Sequence, residues 1–318
     1  MSEKKVIAII GATGAQGGSL ARSILEDQEG PFTVRAITRN AGSDKARGLA
    51  AMGAEVAEAN IDDKASLEQA FQGAYGAFCV TAYWETFSPE AEKAQAGNMA
   101  EAAKAAGVQH VVWSTLEDTR RWIPLDDDRM PTLMENYKVP HFDGKGEANA
   151  IFRKVGVPTT NLLTCFYWEN FIFFGSGPQR GEDGVLALNL PLGEKTLPSI
   201  AVEDIGRSAY AIFKGGPEYF GKTVGIAGEH LTGAQIASAM SEAFGERVHY
   251  NAVPFDVYRG FGFPGADDMG NMFQFQHDFQ DYFCGARPIE ATRTLNPKLE
   301  TFESWLAANK DRIPLDPA

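Results

Sequence analysis

Residues Val6 to Ser19, VIAIIGATGAQGGS, decide how the rest of the chain reads. Five apolar, largely β-branched residues run up to Gly11; glycines recur at 11, 14 and 17, and LARSILEDQ follows with helical apolar spacing. The pattern predicts a buried strand, a tight turn and the start of a helix. Small residues at these points let a backbone approach a pyrophosphate, while the N–H groups and positive dipole end of the new helix face the anion. The stretch therefore predicts a dinucleotide-binding turn formed by Gly11, Ala12, Thr13, Gly14, Ala15, Gln16 and Gly17.

Composition bounds what can surround this turn. With 318 residues, 44% hydrophobic and 22% charged, the chain can bury a full core and is expected to form one large domain or two closely joined lobes. A net charge of -13 repels a phosphate backbone, so direct nucleic-acid binding is not expected. Cys79, Cys165 and Cys284 lie far apart in apolar settings and read as reduced core residues rather than a disulfide frame or a metal site. No apolar run approaches membrane-spanning length, and the run after the charged Met1–Lys5 is too short for a signal peptide. These features lead to the expectation of a cytoplasmic protein, with the nucleus as a second compartment.

Outward from the turn, a second strand is predicted at Thr33 to Thr38, and the residues after it bear on the nucleotide. Dinucleotide folds that select NAD place an Asp or Glu roughly 20 residues beyond the glycines, where it accepts from the ribose 2′-hydroxyl. This chain offers Arg39 and Asn40 there. A guanidinium binds a 2′-phosphate through charge-assisted hydrogen bonds, so the residues favour NADP(H), with Ser43 or Lys45 assisting. Asp44 to Met52 then reads as a helix and Ala54 to Ala59 as a third strand, after which Asn60 and Ile61 border the adenine. Asp63 caps a helix to Gln72, and Ala74 to Thr81 is a fourth strand with Thr81, Ala82 and Tyr83 at its carboxyl end. Ligands bind at the carboxyl ends of parallel strands, which puts TAYWE where the nicotinamide half passes; Tyr83 and Trp84 read equally well as packing aromatics.

A helix from Pro89 to Ala106 and a strand from Val108 to Ser114 continue the alternation, which predicts an α/β fold with a doubly wound parallel Rossmann sheet. Glu117 to Tyr137 breaks the rhythm and reads as a polar surface excursion near the cofactor cleft, its Asp126 to Asp128 run being a solvated loop rather than a metal site. His141 to Lys145, HFDGK, opens the next helix. Short-chain dehydrogenases place Tyr-x-x-x-Lys here, one helical turn putting the phenol and the ammonium on one face. This chain keeps Lys145, has His141 in the tyrosine's place, and has Ser114 where such enzymes steady the substrate. An imidazole with a pKa of about 6.5 could donate a proton, but a neighbouring lysine disfavours its charged form, which leaves His141 as a space-filling residue or a weak acid. The other histidines read as structural or surface groups.

GATGAQGGS, VTAYWE, PHFDGKGE, CFYWENF, GFPGADDMGNMF and LNPKLETFESWL together resemble the NmrA-like family of atypical short-chain dehydrogenases, and most closely its animal-type NADPH-sensing branch. The G-x-x-G-x-x-G spacing is the variant of extended short-chain dehydrogenases and their relatives. The resemblance runs over nearly the whole chain and departs in the longer excursion around Trp122 to Asn136 and at Asn60, where the family often has an acidic residue. It implies that Gly11 to Gln16 hold the pyrophosphate and Arg39 to Ser43 the 2′-phosphate side, with Asn60 and Ile61 at the adenine. Thr81, Ala82, Tyr83, Lys145, Tyr167, Trp168, Glu169 and Asn170 would surround the ribose and nicotinamide.

After Thr164 the alternation gives way to an expected smaller, mostly helical C-terminal lobe. The expected division is 1–165 for the NADP(H)-binding Rossmann domain and 166–318 for a lobe over the cleft, with some segments returning to the sheet. Gly175 to Ser199 reads as a glycine- and proline-rich stretch around one strand at Val185 to Leu190. Helices are predicted from Val202 to Lys214 and, capped by Thr232, up to Phe244. Two functions remain open at this level, the first as the leading reading and the second as its alternative. One is an NADPH/NADP+ sensor that changes dimerisation or binding to a protein partner, as the resembling branch does and as the missing phenol suggests. The other is a reductase of a quinone or small carbonyl compound, with Lys145, His141, Ser114 or Tyr83 completing protonation and the aromatic segments accepting a flat, apolar substrate.

Overall fold

The computed structural model describes residues 3–315. Contacts divide the chain into two compact units: one comprises residues 3–118, 141–164 and 203–224, the other 119–140, 165–202 and 225–315.

The first unit is the doubly wound sheet that the alternation predicts. Its first strands are β1 (Lys5–Ile10), β2 (Phe32–Thr38), β3 (Glu55–Glu58) and β4 (Gly76–Cys79), followed by β5 (His110–Thr115) and β6 (Thr159–Leu163). With Thr223–Gly225 at one edge, they lie in the order Thr223–Gly225, β6, β5, β4, β1, β2, β3. The pairings from β1 to β6 are all parallel. The reversal of chain order between β1 and β4 opens a crevice at the carboxyl ends of these strands.

Helices α1 (Ala15–Glu26), α2 (Asp44–Ala51), α3 (Lys64–Phe71), α4 (Tyr83–Thr86), α5 (Pro89–Ala105) and α6 (Pro140–Val155) connect the strands. Ala8 and Ile10 of β1 meet Leu67 and Phe71 of α3, Met99 and Ala103 of α5, and Phe152 of α6 in one buried cluster. On the opposite face the helix Val202–Gly215 crosses α1 closely, because a Cβ at Gly206 would strike the Ser19 and Leu20 backbone. Gly76 likewise admits the Phe213 ring, which a Cβ there would meet at 2.8 Å. Asp63 caps α3 through Ala65 N and Ser66 N, as its place before the helix predicts.

The second unit combines helices with two three-stranded sheets. Thr196–Ile200 pairs with Phe166–Tyr167 and Glu229–Thr232, and Leu186–Leu190 pairs with Gln179–Arg180 and Val248–Ala252. The strand Thr196–Ile200 corrects the reading of 175–199 as turn-rich around a single strand. Pro198 argues against a strand in sequence, yet Phe166–Tyr167 pairs only with Ser199 and Ile200, so Pro198 has a strand partner on one side alone.

The excursion after Glu117 also differs from its surface reading. Ile123, Met130 and Val139 are completely buried, and Lys138 is 1% exposed with its ammonium donating to the Asp127 and Met130 carbonyls at 2.6 and 2.7 Å. Asn271 Nδ2, on the helix Ala266–Asp278, donates to the Pro131 and Lys138 carbonyls, and Gln274 Nε2 to that of Arg129. The apolar anchors are too widely spaced to register as a period, so only the polar residues between them show in the sequence. Asp126 and Asp128 are exposed, as a solvated loop requires, and the Arg129 guanidinium holds the Asp127 carboxyl down at about 2.

Candidate functional site

The turn after β1 excludes a side chain at Gly11 and at Gly17. Gly11 has a φ of 66°, a left-handed conformation that favours glycine. A Cβ at Gly17 would lie 2.5 Å from Gly11 O and 2.7 Å from Ile10 O, so α1 starts flush against the end of β1. Gly14 N donates to Gly11 O at 2.9 Å, Gly14 occupies the N-cap, and neither a side-chain cap nor an acidic residue competes for the first turn of α1. Gly14 and Ala15 are exposed, Gly11, Thr13 and Gln16 half-buried, and Ala12 and Gly17 buried. Together these features make a backbone cradle at a helix start, the arrangement that accepts a pyrophosphate.

Arg39 follows β2 directly and its guanidinium is met by Glu85 of α4. Arg39 Nη1 lies 2.8 Å from Glu85 Oε2, and Nη2 lies 2.9 Å from Oε1. Asn40 Oδ1 accepts from Gly42 N at 2.9 Å, and Ser43 Oγ caps α2 by accepting from Ala46 N. Both polar side chains thus shape the loop. Arg47, which the sequence reading passed over, is a second guanidinium here and binds Asp44 and the Gly42 carbonyl. Beyond β3, Asn60 Oδ1 accepts from Asp62 N at 3.0 Å, and Asn98 of α5 donates to the Ile61 carbonyl at 3.0 Å.

Thr81 and Lys145 are brought together by a residue that sequence reasoning missed. Lys145 Nζ lies 2.5 Å from Thr81 Oγ1 and 2.8 Å from Glu92 Oε1, and Thr81 Oγ1 donates to that same carboxylate oxygen at 2.6 Å. The Glu92 side chain is wholly buried and that of Lys145 is 11% exposed. Gly144 allows this approach, since a Cβ there would come within 3.1 Å of Glu92 Oε2 and 3.2 Å of Pro89. In the sequence Glu92 resembles Glu90, a second acidic residue in the first turn of α5, and nothing local separates them. Only the packing of α6 turns one inward. Trp113 Nε1 donates to Asn149 Oδ1, and Thr115 Oγ1 lies 3.1 Å from the Lys145 carbonyl, which fixes α6 on β5.

A group of aromatic rings lines the start of α6. The His141 ring centre is 4.8 Å from that of Trp84 and 5.8 Å from that of Tyr83, and Phe87 reaches both aromatics of α4. Tyr83 is 3% and His141 6% exposed, while Trp84 and Phe87 remain accessible. Ser114 is buried within β5, and Ala82, at the N-cap of α4, is exposed. The strand thus ends at Cys79 rather than at Thr81, and Tyr83–Thr86 is a turn of helix closed by Phe87 at a φ of 50°.

Tyr167, Trp168, Glu169 and Asn170 belong to the second unit. Trp168 is 1% exposed, donates from Nε1 to Ser199 Oγ at 2.8 Å, and stands against Phe302 and Trp305. Glu169 accepts from Val202 N and from Trp305 Nε1, both at 3.0 Å. Tyr167 is half-buried, and Asn170 starts a one-turn helix that includes the buried Phe171. Trp168 and Glu169 thus knit their own unit together.

Among the described residues no cluster of three or more His, Cys, Asp or Glu side chains is arranged to hold a metal, and no helix is long and apolar enough to cross a membrane. Cys79 is completely buried, which pushes its thiol up in pKa; Cys165 and Cys284 are half-buried.

Residues 3–306 match the model of the NmrA-like family. The NmrA-like family domain-containing oxidoreductase cpsB of Aspergillus campestris is 28% identical over 313 residues, which cover 92% of this chain and 88% of that protein. Among solved structures, the negative transcriptional regulator NmrA in complex with NADP superposes with a TM-score of 0.78 at 24% identity, over 96% of this chain and 95% of that one. The same regulator in complex with NAD gives the same values. The Escherichia coli NADPH-dependent quinone oxidoreductase QOR2, complexed with NADPH, superposes with a TM-score of 0.73 at 23% identity, over 95% and 99% of the two chains. A family match spanning almost the entire chain agrees with the motifs and with the sheet order: the chain belongs to the NmrA-like family.

Proposed function

We propose that this chain binds NADP(H) and works as an NADPH-dependent reductase of a flat, apolar acceptor of the quinone or small carbonyl class. The carrying observation is the Thr81–Lys145–Glu92 cluster, which fixes a lysine ammonium at the carboxyl end of β4, 5.4 Å from the Trp113 ring centre. The glycine cradle fits a pyrophosphate, as the close approach of Gly17 to Gly11 O requires, and Arg39 supplies a guanidinium suited to a 2′-phosphate. When bound, the dihydronicotinamide supplies a hydride. The chain itself positions: Thr81 and Lys145 offer polar groups to a ribose hydroxyl, and Trp84 and Phe87 offer an accessible apolar surface. Lys145 also places positive charge where an acceptor oxygen gains negative charge, a stabilisation that needs position more than acidity. The name of the cpsB relative and that of the quinone oxidoreductase support this reading. We place the protein in the cytoplasm.

A second reading, an NADPH/NADP+ sensor acting through a homodimer or a protein partner, is favoured by His141. It stands where a catalytic phenol would be and is nearly enclosed by Tyr83, Trp84 and Phe142. A sensor needs unequal affinities of the two nucleotides for two conformations. Single-turnover oxidation of NADPH by the pure protein across a panel of quinones and small carbonyl compounds separates the two. Rapid oxidation with one class, lost in Lys145→Met protein that is still folded and still binds NADPH, supports the reductase. Tight NADPH binding without oxidation by any member of the panel overturns it and moves the question to oligomeric state and partners.

A further inference from the structure

We propose that Glu85 is a specificity-determining residue of the nucleotide site, a built-in oxyanion that competes with the 2′-phosphate for Arg39. The proposal rests on the NADP(H)-binding reading above. Its basis is the paired geometry, in which both Glu85 oxygens face both terminal nitrogens of Arg39 at 2.8 and 2.9 Å. A carboxylate and a phosphate present the same two-oxygen edge to a guanidinium fork, so one side of Arg39 serves one of them at a time. Arg47, the neighbouring guanidinium, is engaged within its own loop by Asp44 and the Gly42 carbonyl.

The pair is built to exchange. The Arg39 and Glu85 side chains are 68% and 53% exposed, so water and salt screen the pair. Glu85 also sits on α4, a single turn held by Glu85 N to Ala82 O and Phe87 N to Tyr83 O. A 2′-phosphate that takes this edge of Arg39 displaces Glu85, and the displaced residue belongs to the turn whose Tyr83 and Trp84 rings stand against His141. A nucleotide with a plain 2′-hydroxyl brings no competing oxyanion and leaves the pair in place. Glu85 thus lowers the preference for 2′-phosphorylated nucleotides that Arg39 alone would give, and it ties that choice to the aromatic strip.

Calorimetric titration of the full chain with 2′,5′-ADP and with 5′-AMP tests the proposal in wild type, Glu85→Gln, Arg39→Ala and the double variant. Glu85→Gln is expected to bind 2′,5′-ADP about two- to fivefold more tightly, with 5′-AMP unchanged, the size expected from releasing an exposed ion pair. In the Arg39→Ala background the same substitution is expected to have no effect. Unchanged or weaker 2′,5′-ADP binding by Glu85→Gln overturns the proposal, as does a gain that persists without Arg39, which would make the effect one of general charge. Failure of wild type to bind either 2′,5′-ADP or NADPH removes the nucleotide reading itself and the proposal with it.

Discussion

Lys145 and Glu92 form an ion pair at 2.8 Å in which the carboxylate side chain has no exposure to solvent. Removing one partner of such a pair strands the other. Lys145→Met leaves an uncompensated buried carboxylate and is expected to lower stability by about 3–5 kcal/mol. The double variant Glu92→Gln/Lys145→Met recovers a large part of that loss, since burying a neutral amide is less costly than burying an isolated charge. Urea unfolding of the single and double variants measures both; equal midpoints for Lys145→Met and wild type would show that the pair adds no stability.

His110 predicts a pH dependence of stability. It is fully buried at the start of β5, between Phe213 and Phe220, with Nε2 2.8 Å from Thr160 Oγ1. Thr160 Oγ1 donates to the Tyr219 carbonyl, so the imidazole donates from Nε2, and the buried Nδ1 has no hydrogen-bond partner. Burial holds the imidazole down at about 4. The unfolded chain takes up this proton near pH 6.5 and the folded chain only near pH 4. The contribution is therefore complete above pH 6.5, falls as the pH drops from there, and levels off below about 4, for a total of about 3 kcal/mol. His110→Gln should flatten that part of the stability profile from pH 7 to pH 4, measured against wild type so that titrating carboxylates cancel.

Gly17 tests the cradle. An alanine there forces α1 away from Gly11 and Ile10, which costs about 1–3 kcal/mol as an overpacked contact and moves the first helical N–H groups out of line. Gly17→Ala is expected to lose nucleotide affinity beyond its loss of stability. Gly18→Ala, whose Cβ meets Ala12 O at 3.2 Å, should be the milder change. Thermal shifts with and without NADPH separate the two effects.

Asn271→Ala should loosen the 119–140 segment. The substitution removes two hydrogen bonds, to the Pro131 and Lys138 carbonyls, at about 1–3 kcal/mol in all. Amide exchange in residues 125–139 should quicken while β1 and β5 keep their protection; unchanged exchange there would show that Gln274 and Lys138 suffice to hold the segment.

The sequence by itself determined the sheet and the cradle, because both depend on local chemistry. Runs such as VIAII and HVVWST favour burial, their alternation with capped helices leaves a parallel sheet as the economical arrangement, and Gly11 and Gly17 leave no room for a side chain where α1 starts flush against β1. Tertiary structure decided the charges. Glu92 and Glu90 are the same residue type two positions apart in one helix turn, and only Gly144, on a different helix, lets α6 come close enough to bury one of them against Lys145. Glu85 meets Arg39 because α4 turns after β4, and no periodicity records that turn. The buried anchors of 119–140 and the strand through Pro198 escaped for the same reason: their partners lie far away in the chain, and an ion pair, an amide donor or a missing strand neighbour leaves no mark on the residues beside it.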